Sequence, residues 1–210
     1  MKKRNWAMIA AAVAGTAVAG AAAFIVQEKR TEQPPYTVER TDGPVEIRRY
    51  PELLVAETET KGARQAALGS GFSRLADYIF AKNRGGEGIA MTAPVLSERD
   101  APIAMTAPVT SERTGDQWRT RFVMPAQYTR ATLPSPGLGV TITTVPPRRV
   151  AVYRFAGVAN DAALAKAEAA LRGWMAQEKL NGGAVSYAFY NSPLMPAPLR
   201  RNEVLITLPD

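Results

Sequence analysis

An α+β fold built of two similar halves is what this sequence predicts, and three observations predict it. Short runs along the chain alternate apolar and polar residues, the period of strands that bury one face. Two longer stretches, 63–82 and 160–180, repeat their apolar residues at helical spacing instead. The order is strands, helix, strands, and then the same again, so each half lays one helix on an antiparallel sheet with pseudo-two-fold symmetry. A sheet curling around the joint of such halves leaves a cleft between sheet and helices, the default place for a small ligand.

The elements follow in order. Lys2-Lys3-Arg4 is a positive leader, and Trp6 to Val26 then runs for 21 residues without a charge. That length can span a bilayer as a hydrophobic helix, and the positive end stays cytoplasmic. Ala21-Ala22-Ala23 offers a cleavage site, whereas the length and Phe24-Ile25-Val26 favour a retained anchor. The expectation is therefore an N-terminal signal or anchor over 1–26, a Pro-ended tether over 27–35 and a folded domain over 36–210. It places the protein in a bacterial envelope, at the inner membrane or free in the periplasm.

Within the domain, Tyr36–Arg40 and Val45–Tyr50 flank the turn signal Asp42-Gly43 as a hairpin, and Leu53–Thr60 is a third strand. The first helix carries Leu68, Phe72, Leu75 and Ile79 on one face, while Gly69 and Gly71 suit close packing on a sheet. Trp118–Met124 is the next strand. Val140–Val145 and Arg149–Phe155 read as a strand pair across Pro146-Pro147. Asn160 or Asp161 caps a second helix with the stripe Leu164, Ala167, Leu171, Trp174 and Met175, closed by Asn181-Gly182. Val185–Tyr190 and Glu203–Leu208 are the last strands.

A tandem copy stands between the first helix and Trp118. Ile89-Ala-Met-Thr-Ala-Pro-Val-Leu-Ser-Glu-Arg99 recurs as 103–113, fourteen residues on, with only Leu96 against Thr110 differing. Pro94 and Pro108 donate no ladder hydrogen bond, so each copy belongs at an edge, bulge or strand end. Two readings stay open: a duplication that adds a hairpin, or two strands whose Met91 and Met105 line a ligand site.

Composition excludes more than it suggests. With no cysteine and no histidine, thiol nucleophiles, disulfides, Ser-His-Asp triads and the commonest metal ligand are all absent. No catalytic residue and no metal site is expected. Without the leader's three charges, the 26 basic residues fall to 23 against 19 acidic ones. They are scattered in ones and twos, a pattern that does not support nucleic-acid binding.

Several segments resemble the SOUL/haem-binding protein family: Tyr50-Pro51, Ile89-Ala-Met-Thr-Ala-Pro-Val95 with its repeat, Phe122-Val-Met-Pro125, Pro147 to Phe155, Tyr190-Asn-Ser-Pro193 and Arg200-Arg-Asn-Glu-Val204. The resemblance implies a distorted antiparallel β-barrel of two pseudo-symmetric halves flanked by two helices. It implies non-catalytic binding of haem or another planar amphipathic ligand, non-covalently. Some members are thought to hold haem in an apolar groove along the first helix, aided by basic residues. At the matching positions this chain has Gly69 and Asp77, so Arg64 or Arg74 has to supply the charge beside Leu68 and Phe72. Arg119 and Arg121 share a strand face, where a solvated outer surface is the simpler reading and a seat for a propionate or other anion the sharper one. The candidate ligand residues are thus Arg64, Leu68, Phe72, Arg74, Met91, Met105 and Arg121. The competing functions are an envelope interaction protein without a small ligand and an enzyme acting on tetrapyrroles.

Overall fold

The computed structural model describes residues 23–82, 87–99 and 117–209. Most of the charge-free N-terminal stretch and the whole second copy, with Met105, lie outside these residues. Residues 23–29 are helical. There follow β1 (Thr37–Asp42), β2 (Val45–Tyr50), β3 (Leu53–Lys61), α1 (Arg64–Ile79), β4 (Val95–Arg99), β5 (Gln117–Val123), β6 (Thr141–Val145), β7 (Arg148–Ala156), α2 (Asp161–Gln177), β8 (Val185–Phe189) and β9 (Arg201–Leu208). The architecture is α+β, one antiparallel sheet curled into a half-barrel with α1 and α2 against it.

The sheet order is β1-β2-β7-β9-β8-β4-β5-β3-β6, and it explains the two-fold character. Each half runs strand, helix, hairpin: β3-α1-β4-β5 and β7-α2-β8-β9. The halves meet where β4 pairs with β8, from Val95 opposite Phe189 to Glu98 opposite Ser186. The strand preceding each half is lent to the other. β2 leads into β3 yet pairs with β7, and β6 leads into β7 yet pairs with β3. The expected pairing of β6 with β7 is therefore wrong. Pro146 and Pro147 hold an extended backbone without N–H donors, so β6 crosses over instead of folding back.

Alternation along the strands divides the sheet into two buried faces. The inner face packs Leu53, Val55, Leu96, Val123, Val150, Val152 and Leu205 into one cluster across both halves. The outer face packs under α2 through Ala151, Val204 and Ile206. It packs under α1 through Ala56, Phe122 and Ile142.

The α1 stripe is rotated from its expected position. The structure buries Ala67, Gly71, Leu75, Ala76, Tyr78 and Ile79, whereas Leu68 is half-buried and Phe72 exposed. Gly71 is the cause. A Cβ there would stand 2.5 Å from Thr120 Oγ1, so its absence lets the helix backbone rest on β5. Gly69 faces open space and does no such work.

The α2 stripe is buried at Leu164, Ala167, Leu171 and Met175, and the Ala163 N–H donates to the Asn160 cap at 2.8 Å. Trp174 sits at the border and donates to Asp42 at 2.8 Å. The helix stops at Gln177, short of Asn181-Gly182, because Lys179 takes the left-handed conformation (φ 56). Gly182 serves close packing instead: a Cβ there would lie 2.5 Å from Ile206.

The first tandem copy is a strand only from Val95. Thr92, Ala93 and Pro94 are all buried, so alternation fails before that point. The Ala93–Pro94 peptide is cis, and Pro94 lies directly before β4, a strand end as its missing donor requires. The stretch from Glu28 to Tyr36 lies along the domain. The Ala93 N–H donates to the Glu32 carbonyl at 2.9 Å, the Ala126 N–H to its carboxylate at 2.8 Å, and Tyr36 packs on Tyr50.

Candidate functional site

Of the residues singled out from the sequence, Leu68, Phe72 and Arg74 lie along α1. Because Gly71 fixes the helix on the sheet, Phe72 is turned outward and is 38% exposed. Its ring is held edge-on by Phe122, with centroids 5.3 Å apart. Leu68 lies one turn earlier, half-buried, and Met91 packs half-buried against the cluster under the helix. Arg74 donates to the Thr58 hydroxyl at 2.8 Å and the Glu59 carbonyl at 3.2 Å, and its stem covers Gly139. Arg64 is committed elsewhere. It pairs with Asp161 and donates to the Ala159 carbonyl at 3.2 Å, which ties the start of α1 to the start of α2.

Arg121 is separated from this group by the thickness of the sheet. It faces inward with Arg119, on a half-buried and ion-paired surface rather than a solvated outer one. Arg121 donates to Glu57 at 2.9 Å and to Glu98 at 2.5 Å. Glu98 also faces Arg148, 3.7 Å away. Burial lowers the Arg148 pKa; Glu98 opposes that and Arg121 adds to it, and the net shift is downward.

A second inward cluster escaped the sequence reading. Arg48 is fully buried and forms a two-pronged pair with Glu203 at 2.8 and 3.0 Å. It also donates to Glu46 at 2.7 Å and to the Tyr50 hydroxyl at 3.1 Å. Tyr190 and Arg201 donate to the Glu203 carboxylate at 2.6 and 2.9 Å. Burial alone would raise the Glu203 pKa, but Arg48 and Arg201 outweigh it and hold the carboxylate below its ordinary range. Burial, reinforced by Glu203, pushes the Tyr190 hydroxyl well up. Arg201 and Glu203 thus pair within β9, with Arg48 as a further partner from β2. The alternation of β2 puts Arg48 and Tyr50 on one face, but only the pairing of β2 with β7 shows that this face is sealed.

The chemistry available for a prosthetic group is limited. Haem iron is ordinarily held by His, Cys, Met or Tyr, and His and Cys are absent from the chain. Met124, Met175 and Met195 are buried in the core, which leaves Met91 half-accessible among the described residues. Among those residues no group of acids forms a metal site. On α1, Leu68 and Phe72 form a partly exposed apolar strip.

Comparison with known proteins bears on the same domain. The family described as SOUL heme-binding protein matches residues 31–207. Curated proteins give no match. Solved structures share the fold at low identity. The C-terminal domain of EcmrR is 10% identical with a TM-score of 0.56, over 83% of this chain and 98% of that one. A hydrolase from Listeria innocua is 13% identical with a TM-score of 0.52, over 81% and 94%. These likenesses speak for the architecture alone.

Proposed function

Because the chain belongs to the SOUL haem-binding protein family, we propose that it binds a planar amphipathic tetrapyrrole non-covalently on the outer surface of α1, without turnover. The family match over residues 31–207 carries this reading. The packing supports this surface. Val55, Val150, Val152 and Leu205 fill the middle of the inner face at 0 to 2% exposure, so no flat ring can enter there. On α1, an exposed aromatic ring with a half-buried leucine one turn away gives such a ring an apolar seat. Binding without turnover is supported by the fact that two shifted groups, Glu203 and Tyr190, are locked in a buried network.

Contact with the ring rather than iron ligation supplies the affinity, so hemin and iron-free protoporphyrin should bind alike. Titrating either into the purified chain should quench tryptophan fluorescence, and hemin should shift its Soret band, each saturating near one equivalent. A response that never saturates would overturn the reading, and binding of hemin alone would move the affinity to the iron.

The N-terminal charge pattern supports an envelope location, with the domain on the periplasmic side of the inner membrane. Among the described residues no helix is long and apolar enough to cross a membrane, so this part rests on residues 1–26. Cell fractionation tests it: recovery with the cytosol would refute it.

A further inference from the structure

A cavity of about 380 Å³ opens where β6 passes into β7, walled by Arg121, Arg148, Arg149, Thr207 and the pair Pro146-Pro147. We propose that it is a binding site for a small organic anion, a carboxylate or phosphate on a short apolar body.

Among the described residues, three arginines and no acidic residue line the cavity. Glu57 and Glu98 pair with Arg121 from outside that lining, and Glu39 takes the Arg149 Nε at 2.7 Å. Arg148 is the least satisfied of the three. Its Nε is buried without a partner among the described residues, and its ion pair with Glu98 spans 3.7 Å, too long for a good hydrogen bond. A buried donor left unmade is costly, and a buried guanidinium needs both charge and hydrogen bonds returned. An anion reaching Arg148 supplies both, since the guanidinium fork matches carboxylate and phosphate oxygens. Thr207 adds a hydroxyl, while Val145, Leu208 and the two prolines give apolar walls. The size lies at the small end of ligand sites.

The site is separate from the α1 surface. Arg121 faces inward and its neighbour Phe122 outward beneath α1, and no residue of the cavity lining belongs to α1. The anion site can fail while the proposal for α1 stands, and the reverse.

The test is thermal unfolding and calorimetric titration of the full chain with three probes: inorganic phosphate, benzoate and phenyl phosphate, against sodium chloride at equal ionic strength. Saturable binding of at least one probe is expected, with a Tm increase that chloride does not reproduce. A preference for phenyl phosphate over both others marks a phosphate monoester, and a preference for benzoate marks a carboxylate. Phosphate binding as tightly as phenyl phosphate marks a plain phosphate site without use of the apolar walls, against the proposal. Arg148→Met should weaken binding about ten- to a hundredfold, the loss of a charged hydrogen bond, and leave hemin binding unchanged. Should that variant not fold, Thr207→Val, which keeps the side-chain shape, should weaken the same probes. Equal responses to chloride, or unaltered affinity in the variant tested, would overturn the site.

Discussion

Glu203 on β9 and Glu98 on β4 lie on the same inner face, each between arginines, yet their surroundings differ in completeness. Glu203 accepts from Arg48, Arg201 and Tyr190 and is 0% exposed. Glu98 is half-buried, holds Arg121 at 2.5 Å and leaves Arg148 at 3.7 Å with an idle Nε beside a cavity. The difference shows how one set of residue types serves two ends. A buried carboxylate that accepts from Arg48, Arg201 and Tyr190 holds β2 and β9 in place across β7. A guanidinium left short of a partner is poised to receive it from outside.

Breaking the complete cluster should have the largest effect. Arg48→Met leaves Glu203 buried without its two-pronged partner and should cost about 3–5 kcal/mol of stability in urea unfolding. Arg48→Met with Glu203→Leu should recover most of that loss, because the uncompensated charge is gone. A double variant no more stable than the single one would show that the pair does more than satisfy itself.

The pH profile sharpens the same contrast. Glu203 is held below its ordinary pKa in the fold, so the unfolded chain binds its proton first as pH falls. Its stabilisation is present above about pH 4.5, the unfolded value, and is lost as pH drops through the folded pKa. Tyr190 and Tyr50 are shifted upward, chiefly by burial, so their contribution holds below about pH 10 and is lost as pH rises beyond it. The acid limb should shrink in the double variant, while the alkaline limb, which rests chiefly on burial, should remain, as read by Tm against pH.

The incomplete cluster should give the smallest effect on stability. Arg148→Met removes a guanidinium whose burial is poorly repaid, so the free chain should change by less than about 1 kcal/mol in either direction. A loss as large as that of Arg48→Met would show that Arg148 is fully paired and would erase the contrast.

The sequence carried the fold further than it carried these clusters. Strand periods and the helical spacing of Leu164, Ala167, Leu171 and Met175 are local, so nearly every element was legible. The partner of β6 was not, because a crossover through Pro146-Pro147 looks like a turn until β3 is seen to hold its edge. The tilt of α1 was hidden too: Leu68 and Phe72 outscore Gly71 as apolar residues, but glycine decides which face comes closest. At the sites, Arg119 and Arg121 announced themselves by being two residues apart. Their glutamates come from β3 and β4, and Arg48 meets Glu203 across 155 positions, distances over which spacing says nothing.

The central claim is that the tetrapyrrole sits outside, on α1, and not within the half-barrel. Hemin affinity measured in Phe72→Ser and in Arg148→Met tests it most directly. The account predicts roughly tenfold weaker binding for Phe72→Ser, the worth of part of a phenyl ring's burial, and no change for Arg148→Met. Unchanged binding in Phe72→Ser together with loss in Arg148→Met would place the ligand on the inner face and contradict the claim.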